Sequence, residues 1–157
     1  EDTILNRLSM MVRDDGKGMD ADLLARVVNP FATSRTTRNV GLGIPFLKAA
    51  AEACNGRMTI ESEPGKGTCL FVEFERDHID RMPLGDLPKT WLSLLVGNPQ
   101  IHWIFVYRVD QDEFSFDDQP IKAELEGIPL SEPAVLEFLN KNITDGFQSI
   151  VCEKVMS

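Results

Sequence analysis

The sequence predicts an α+β protein built as two units. Two alternating runs, residues 57–63 and the run carrying Leu70, Val72 and Phe74, flank Pro64-Gly65-Lys66-Gly67 and read as a β-hairpin. Two apolar stretches with helical spacing precede that hairpin, and a second mixture of helix and strand patterns follows it. Around Met82-Pro83-Leu84-Gly85 the pattern breaks and the charge shifts: residues 1–85 hold 11 basic and 13 acidic side chains, residues 86–157 hold 5 and 12. The expected units are 1–85 and a small acidic α+β module, 86–157, with their boundary inside residues 77–86. A chain of 157 residues with 43% hydrophobic and 26% charged residues is long and apolar enough to bury a core in each.

Residues 8–13 form an apolar strand that runs into Asp14-Asp15-Gly16-Lys17-Gly18, too rich in glycine and charge to continue it. Asp20 then caps a helix whose Leu23, Leu24, Val27 and Val28 share one face, and Asn29-Pro30 stops it because a residue before proline avoids helical geometry. Residues 31–40 are polar, threonine-rich and aperiodic, a loop opening onto Gly41-Leu42-Gly43. A helix over 44–54 follows, with Asn55-Gly56 placing glycine at its terminus. After the hairpin, Asp86 and Pro88 start a helix with Trp91, Leu92, Leu94 and Leu95 that ends at Gly97-Asn98-Pro99. A strand is expected over 101–109, a turn at 110–112, a strand at 114–116, a helical turn at 121–125, and a helix from Ser131-Glu132-Pro133 through Leu136, Phe138 and Leu139.

Composition excludes several functions. The net charge of −9 opposes non-specific binding to a phosphate backbone, so nucleic acid is not an expected partner. No apolar run is long enough to span a bilayer, and Glu1-Asp2-Thr3 lacks the basic flank and apolar stretch of a signal peptide, so the expected location is cytoplasmic. Cys54, Cys69 and Cys152 are widely spaced and read as free thiols. His78 lies in a charged stretch after the last hairpin strand, and His102 is expected inside an apolar strand as a hydrogen-bonded structural residue.

Two glycine boxes carry the chemistry. A strand delivering Asp14 beside Gly16 and Gly18 fixes one carboxylate next to residues without side chains, where a flat ligand can approach the backbone; the same spelling also suits a plain tight turn. Gly41 and Gly43 open a helix, whose free amides and positive dipole end favour phosphate oxygens, although a flexible turn needs the same residues.

Taken in order, Val12-Arg-Asp-Asp-Gly-Lys-Gly-Met19, Asn29-Pro-Phe-Ala-Thr-Ser-Arg35, Gly41-Leu-Gly-Ile44 and Gly65-Lys-Gly-Thr68 with its apolar strand resemble the GHKL, or Bergerat-fold, ATPase family. That superfamily joins histidine kinases, gyrase B, the ninety-kilodalton heat-shock chaperones and MutL. The resemblance covers about residues 8–76. It implies a two-layer α/β sandwich with a mixed sheet and an ATP lid, and ATP with Mg2+ as cofactors. Asp14 would accept a hydrogen bond from the adenine amino group, Gly16 and Gly18 would admit the nucleotide, and Phe31 would stand at the near hinge of the lid. Arg35 would neutralise phosphate charge, Gly41 and Gly43 would present amides to phosphate, and Thr68 would place its hydroxyl in the adenine pocket. Met19 and Leu42 complete the same boxes.

Two departures qualify what the resemblance implies. The second glycine box has Asn39 where the family usually carries an earlier glycine. The family's magnesium-holding asparagine and its neighbouring base lie on a helix tens of residues before the first box, and only thirteen residues precede Asp14. No catalytic residue and no metal ligand is therefore assigned; residues 1–157 are expected to lack turnover, and apolar faces left uncovered are expected to favour a homodimer. The lid, about ten residues between Phe31 and Gly41, resembles the sensor-kinase-like and anti-sigma-like branch and is expected to order with nucleotide. The strand region after Gly97 faintly resembles the start of the MutL transducer domain. Three function classes stay open: an ATP-binding catalytic domain of a histidine-kinase-like ATPase serving hydrolysis or transfer to an unknown phosphoacceptor protein, an ATP-gated switch or clamp (MutL-like or anti-sigma-like) without phosphotransfer, and a degenerate interaction module.

Overall fold

The computed structural model describes residues 1–28 and 42–152, with side chains placed through Ile150. The chain divides between Met82 and Pro83 into two compact units. In the first, β1 (Arg7–Asp14) leads to α1 (Ala21–Val28), and α2 (Gly43–Ala53) leads to β2 (Arg57–Glu63) and β3 (Gly67–Glu75). The sheet order is β1-β3-β2, antiparallel at both junctions. A three-residue link makes β2 and β3 a hairpin, and β3 fills the gap left between β1 and β2, which run in the same direction. The mixed sheet implied by the family resemblance is thus an antiparallel one among the described residues: a parallel pair would require β1 and β2 to be neighbours, and the hairpin's return strand separates them.

The inward face follows from register. Leu8, Met10, Val12 and Asp14 of β1 stand opposite Phe74, Val72, Leu70 and Thr68 of β3. Met58, Ile60 and Ser62 of β2 continue the same rows. Paired residues in a sheet share a face. Leu8 and Val72 are buried in the first unit with Ala51 and Cys54 of the α2 region. Asp20 accepts the Leu23 amide at 2.8 Å, so it caps α1 as its position suggests. The end of α2 differs from expectation. Asn55, not Gly56, takes the left-handed conformation (φ 52°). Gly56 is required for another reason: a Cβ there would lie 1.8 Å from the Glu73 carbonyl oxygen of β3. Asparagine tolerates positive φ, and only glycine tolerates that approach.

The second unit contains α3 (Leu87–Gly97), the hairpin β4 (Ile104–Val109) and β5 (Asp112–Asp117), α4 (Gln119–Glu124) and α5 (Pro133–Cys152). Asp86 caps α3 by accepting the Lys89 amide at 3.0 Å. The core joins Leu95, Phe105, Phe116, Leu130, Leu139, Ile143 and Phe147. Trp91 stacks on Phe105 at 4.5 Å and meets the edge of Phe147 at 4.6 Å. Three expectations are corrected here. The strand starts at Ile104 rather than Ile101, because residues 101–103 are held in a loop: the Ile101 amide donates to the Asn98 carbonyl at 3.1 Å and the Trp103 amide to Asp118 Oδ1 at 3.1 Å. His102 accordingly precedes the strand, exposed, with Nε2 2.8 Å from Asp117 Oδ1. The last helix runs well past Leu139, since Gly146 leaves its backbone open to the Phe114 ring.

Candidate functional site

The first glycine box is held by its own carboxylate. Asp14, the last residue of β1, is exposed and accepts the Gly16 amide through Oδ1 at 2.9 Å, which turns the chain back at once. Its second carboxylate oxygen carries no hydrogen bond from the described residues. A Cβ at Gly16 would lie 2.7 Å from Asp14 Oδ1, so the missing side chain lets that oxygen take the Gly16 amide without crowding. Gly18 turns the loop with φ +64°, and a Cβ there would fall 1.9 Å from the Glu63 carbonyl oxygen.

Ser62 ties this loop to the hairpin. Its Oγ accepts the Met19 amide at 2.8 Å, donates to the Gly67 carbonyl at 2.9 Å and lies 3.0 Å from Thr68 Oγ1. Gly65 donates its amide to the Lys17 carbonyl at 2.8 Å. Asp14, Thr68 and Ser62 therefore stand in one row across the sheet, with both side-chain hydroxyls and the carboxylate on the same face. On that face Met10 and Val12 remain 44% and 53% exposed, an apolar surface beside the carboxylate. Gly67 completes the row: it has φ +90°, and a Cβ there would sit 1.9 Å from the Asp14 carbonyl oxygen.

The structure thus brings Asp14, Gly16, Gly18, Met19 and Thr68 together: Asp14 holds the Gly16 amide and pairs with Thr68, Ser62 links Met19 to Thr68, and Gly18 passes close to the Glu63 carbonyl. Leu42 and Gly43 lie outside that group at the start of α2; Leu42 is the N-terminal cap residue and exposed, and a Cβ on Gly43 would meet nothing within 4 Å. Pro45 removes one of the free amides of that first turn, leaving those of Gly43 and Ile44 ahead of the first helical bond, Phe46 N to Leu42 O at 3.0 Å. Phe31, Arg35, Gly41 and the loop 32–40 lie outside the described residues. Ser62 was missed by sequence reasoning. In an alternating strand it reads as any polar position, and only the register of β2 on β3 reveals its partners.

A loop lined with glycine, one exposed carboxylate oxygen and a neighbouring hydroxyl fits the edge of a purine. It does not fit a divalent cation: among the described residues the one cluster of three potential metal ligands is His102, Asp117 and Asp118, in the second unit. There the Lys122 ammonium already reaches Asp118 Oδ2 at 2.5 Å.

This strand, loop and hairpin lie inside a segment that a known family matches. Residues 2–78 belong to the histidine kinase-, DNA gyrase B-, and HSP90-like ATPase family, and the chain carries an ATP-binding module of that superfamily. Similar proteins include the "Heme sensor protein HssS" of Staphylococcus saprophyticus subsp. saprophyticus, 34% identical over 73 residues, which are 46% of this chain and 16% of that protein. The "Sensor histidine kinase AruS" of Pseudomonas aeruginosa is 34% identical over 74 residues, covering 44% of this chain and 7% of its own length. The "Sensor protein kinase WalK" of Staphylococcus haemolyticus is 28% identical over 85 residues, covering 51% and 14%. The chain spans less than a fifth of each of these relatives. Among the described residues no helix is long and apolar enough to cross a membrane.

Proposed function

We propose that the first unit reads adenine through Asp14 and serves phosphoryl transfer or hydrolysis in a histidine-kinase-like protein. The carrying observation is the division of labour within one carboxylate: Oδ1 holds the Gly16 amide, and the other oxygen is left to accept from the adenine amino group. Guanine presents a carbonyl oxygen at that position, which the carboxylate repels. Thr68 places a hydroxyl in the same row on the neighbouring strand, 3.0 Å from Ser62 Oγ. Gly43 and Ile44 offer helix amides to the phosphates, joined in this reading by Gly41, Arg35 and the hinge residue Phe31, with Met19 and Leu42 shaping the walls. ATP is the ligand, and Mg2+ accompanies it in the whole protein. The relatives named as sensor kinases favour the kinase reading over a switch that only closes on ATP. The two histidines are each engaged at one ring nitrogen, His78 Nδ1 by the Asp80 amide at 3.2 Å and His102 Nε2 by Asp117, and this reading places the accepting imidazole on another segment or protein.

Calorimetric titration with ATP and GTP tests this. Asp14→Asn keeps an oxygen for the Gly16 amide, so the loop survives, and sets an NH2 donor against the adenine NH2. ATP affinity is expected to fall at least about tenfold, roughly 1.4 kcal/mol. Equal affinity of the variant for ATP, or equal affinity of the parent for GTP, removes Asp14 from the role.

A further inference from the structure

We propose that the second unit carries a docking groove for a basic, amphipathic helix of a partner protein. The groove, about 310 Å3, lies between α4 and α5 and is lined by Ile121, Glu124, Leu125, Ala134, Val135 and Phe138. Phe138 is 55% exposed, although its neighbours Leu139 and Ile143 are fully enclosed in the core. With Ile121, Leu125, Ala134 and Val135 beside it, the Phe138 ring forms a continuous apolar floor that a partner can cover. Covering it with side chains spaced three and four apart is what an amphipathic helix does.

The charge around the floor decides which helix. Glu124, Glu126, Glu132 and Glu137 are exposed, and none forms an ion pair among the described residues. The sole base within residues 119–139, Lys122, is committed to Asp118 at 2.5 Å and to the Ile101 carbonyl at 2.5 Å. Glu124 lines the groove itself, and the segments that form it carry four glutamates against Lys122 and, one turn beyond Phe138, the exposed Lys141; the surroundings are predominantly acidic and favour ammonium or guanidinium groups flanking apolar anchors. The same acidic charge opposes a second copy of this chain, which would set glutamate against glutamate, and an anionic lipid surface.

Fluorescence anisotropy with a labelled helical peptide of leucine and lysine tests the groove on the full chain, beside its leucine and glutamate counterpart. The lysine peptide is expected to bind and to weaken as salt rises from about 50 to about 500 mM, and the glutamate peptide is expected not to bind. Phe138→Asp removes an anchor while adding negative charge. Groove binding falls at least about tenfold in that variant, whereas indiscriminate attraction to an acidic protein would strengthen. The pair Glu124→Lys and Glu137→Lys leaves the floor intact and is expected to weaken binding to a similar degree, which keeps the test open should Phe138→Asp lose its circular dichroism signature. Unchanged affinity in both variants overturns the proposal, as does equal binding of the glutamate peptide. A concentration-dependent dimer dissolved by Phe138→Asp would assign the groove to a second copy and overturn it too.

Discussion

Ser62 shows how much of a loop can rest on a single hydroxyl. Its hydroxyl serves Met19, Gly67 and Thr68 at once, so Ser62→Ala leaves a partly buried amide without its acceptor. The expected cost is about 1–2 kcal/mol in urea unfolding, with a loss of ATP affinity that Thr68→Ser does not share. Gly67→Ala should cost about 3 kcal/mol, because a Cβ would press on the Asp14 carbonyl in a conformation that side chains resist. Asp117 has a pH signature. The Gln119 amide, and then His102, hold its carboxyl below the ordinary 3.8. A lowered folded value means that the unfolded chain binds the proton first, so the stabilisation is present above 3.8 and lost as pH falls through the depressed value. Urea midpoints measured down a pH series should therefore drop less in Asp117→Asn than in the parent, by a small margin because the pair is exposed. At this scale Asp14 and its glycines were legible, since a strand ending in aspartate and glycine permits few other conformations. Ser62 was not, because its meaning depends on a strand register.

Among the elements, β2, β3 and α3 could be read closely from alternation and capping, whereas α5 could not. Its sequence loses helical clarity after Leu139, through Asn140-Lys-Asn142 and Gly146, yet the helix continues because Ile143, Phe147 and Ile150 stay buried. Tertiary packing overrides propensity there. Gly146 makes a sharp test. On an exposed helix Gly→Ala stabilises by about 1 kcal/mol. Here a Cβ would lie 2.1 Å from the Phe114 ring. That ring stands 6.3 Å from Trp91 and 5.9 Å from Phe147 in the aromatic stack, with little room to withdraw. Gly146→Ala is expected to reverse sign and destabilise by about 1–3 kcal/mol, read as a lower midpoint in thermal unfolding.

For the whole molecule, two units could be anticipated from the break around Pro83, but the second unit's aromatic core could not, since it assembles from rings spread between Trp91 and Phe147. Both tryptophans, Trp91 and Trp103, belong to the second unit. Adding ATP is therefore expected to slow hydrogen exchange in β1 and β3 and to leave the tryptophan-monitored melting curve in place. The glycines also bear on ancestry. Gly18 and Gly67 are forced by backbone oxygens 1.9 Å from any added Cβ, whereas Gly43 faces open space. A descendant that abandoned nucleotide would be free to drift at position 43 while 18 and 67 stayed fixed and Asp14 kept its bond to the Gly16 amide, so a surviving first box alone would mark kinship without marking function.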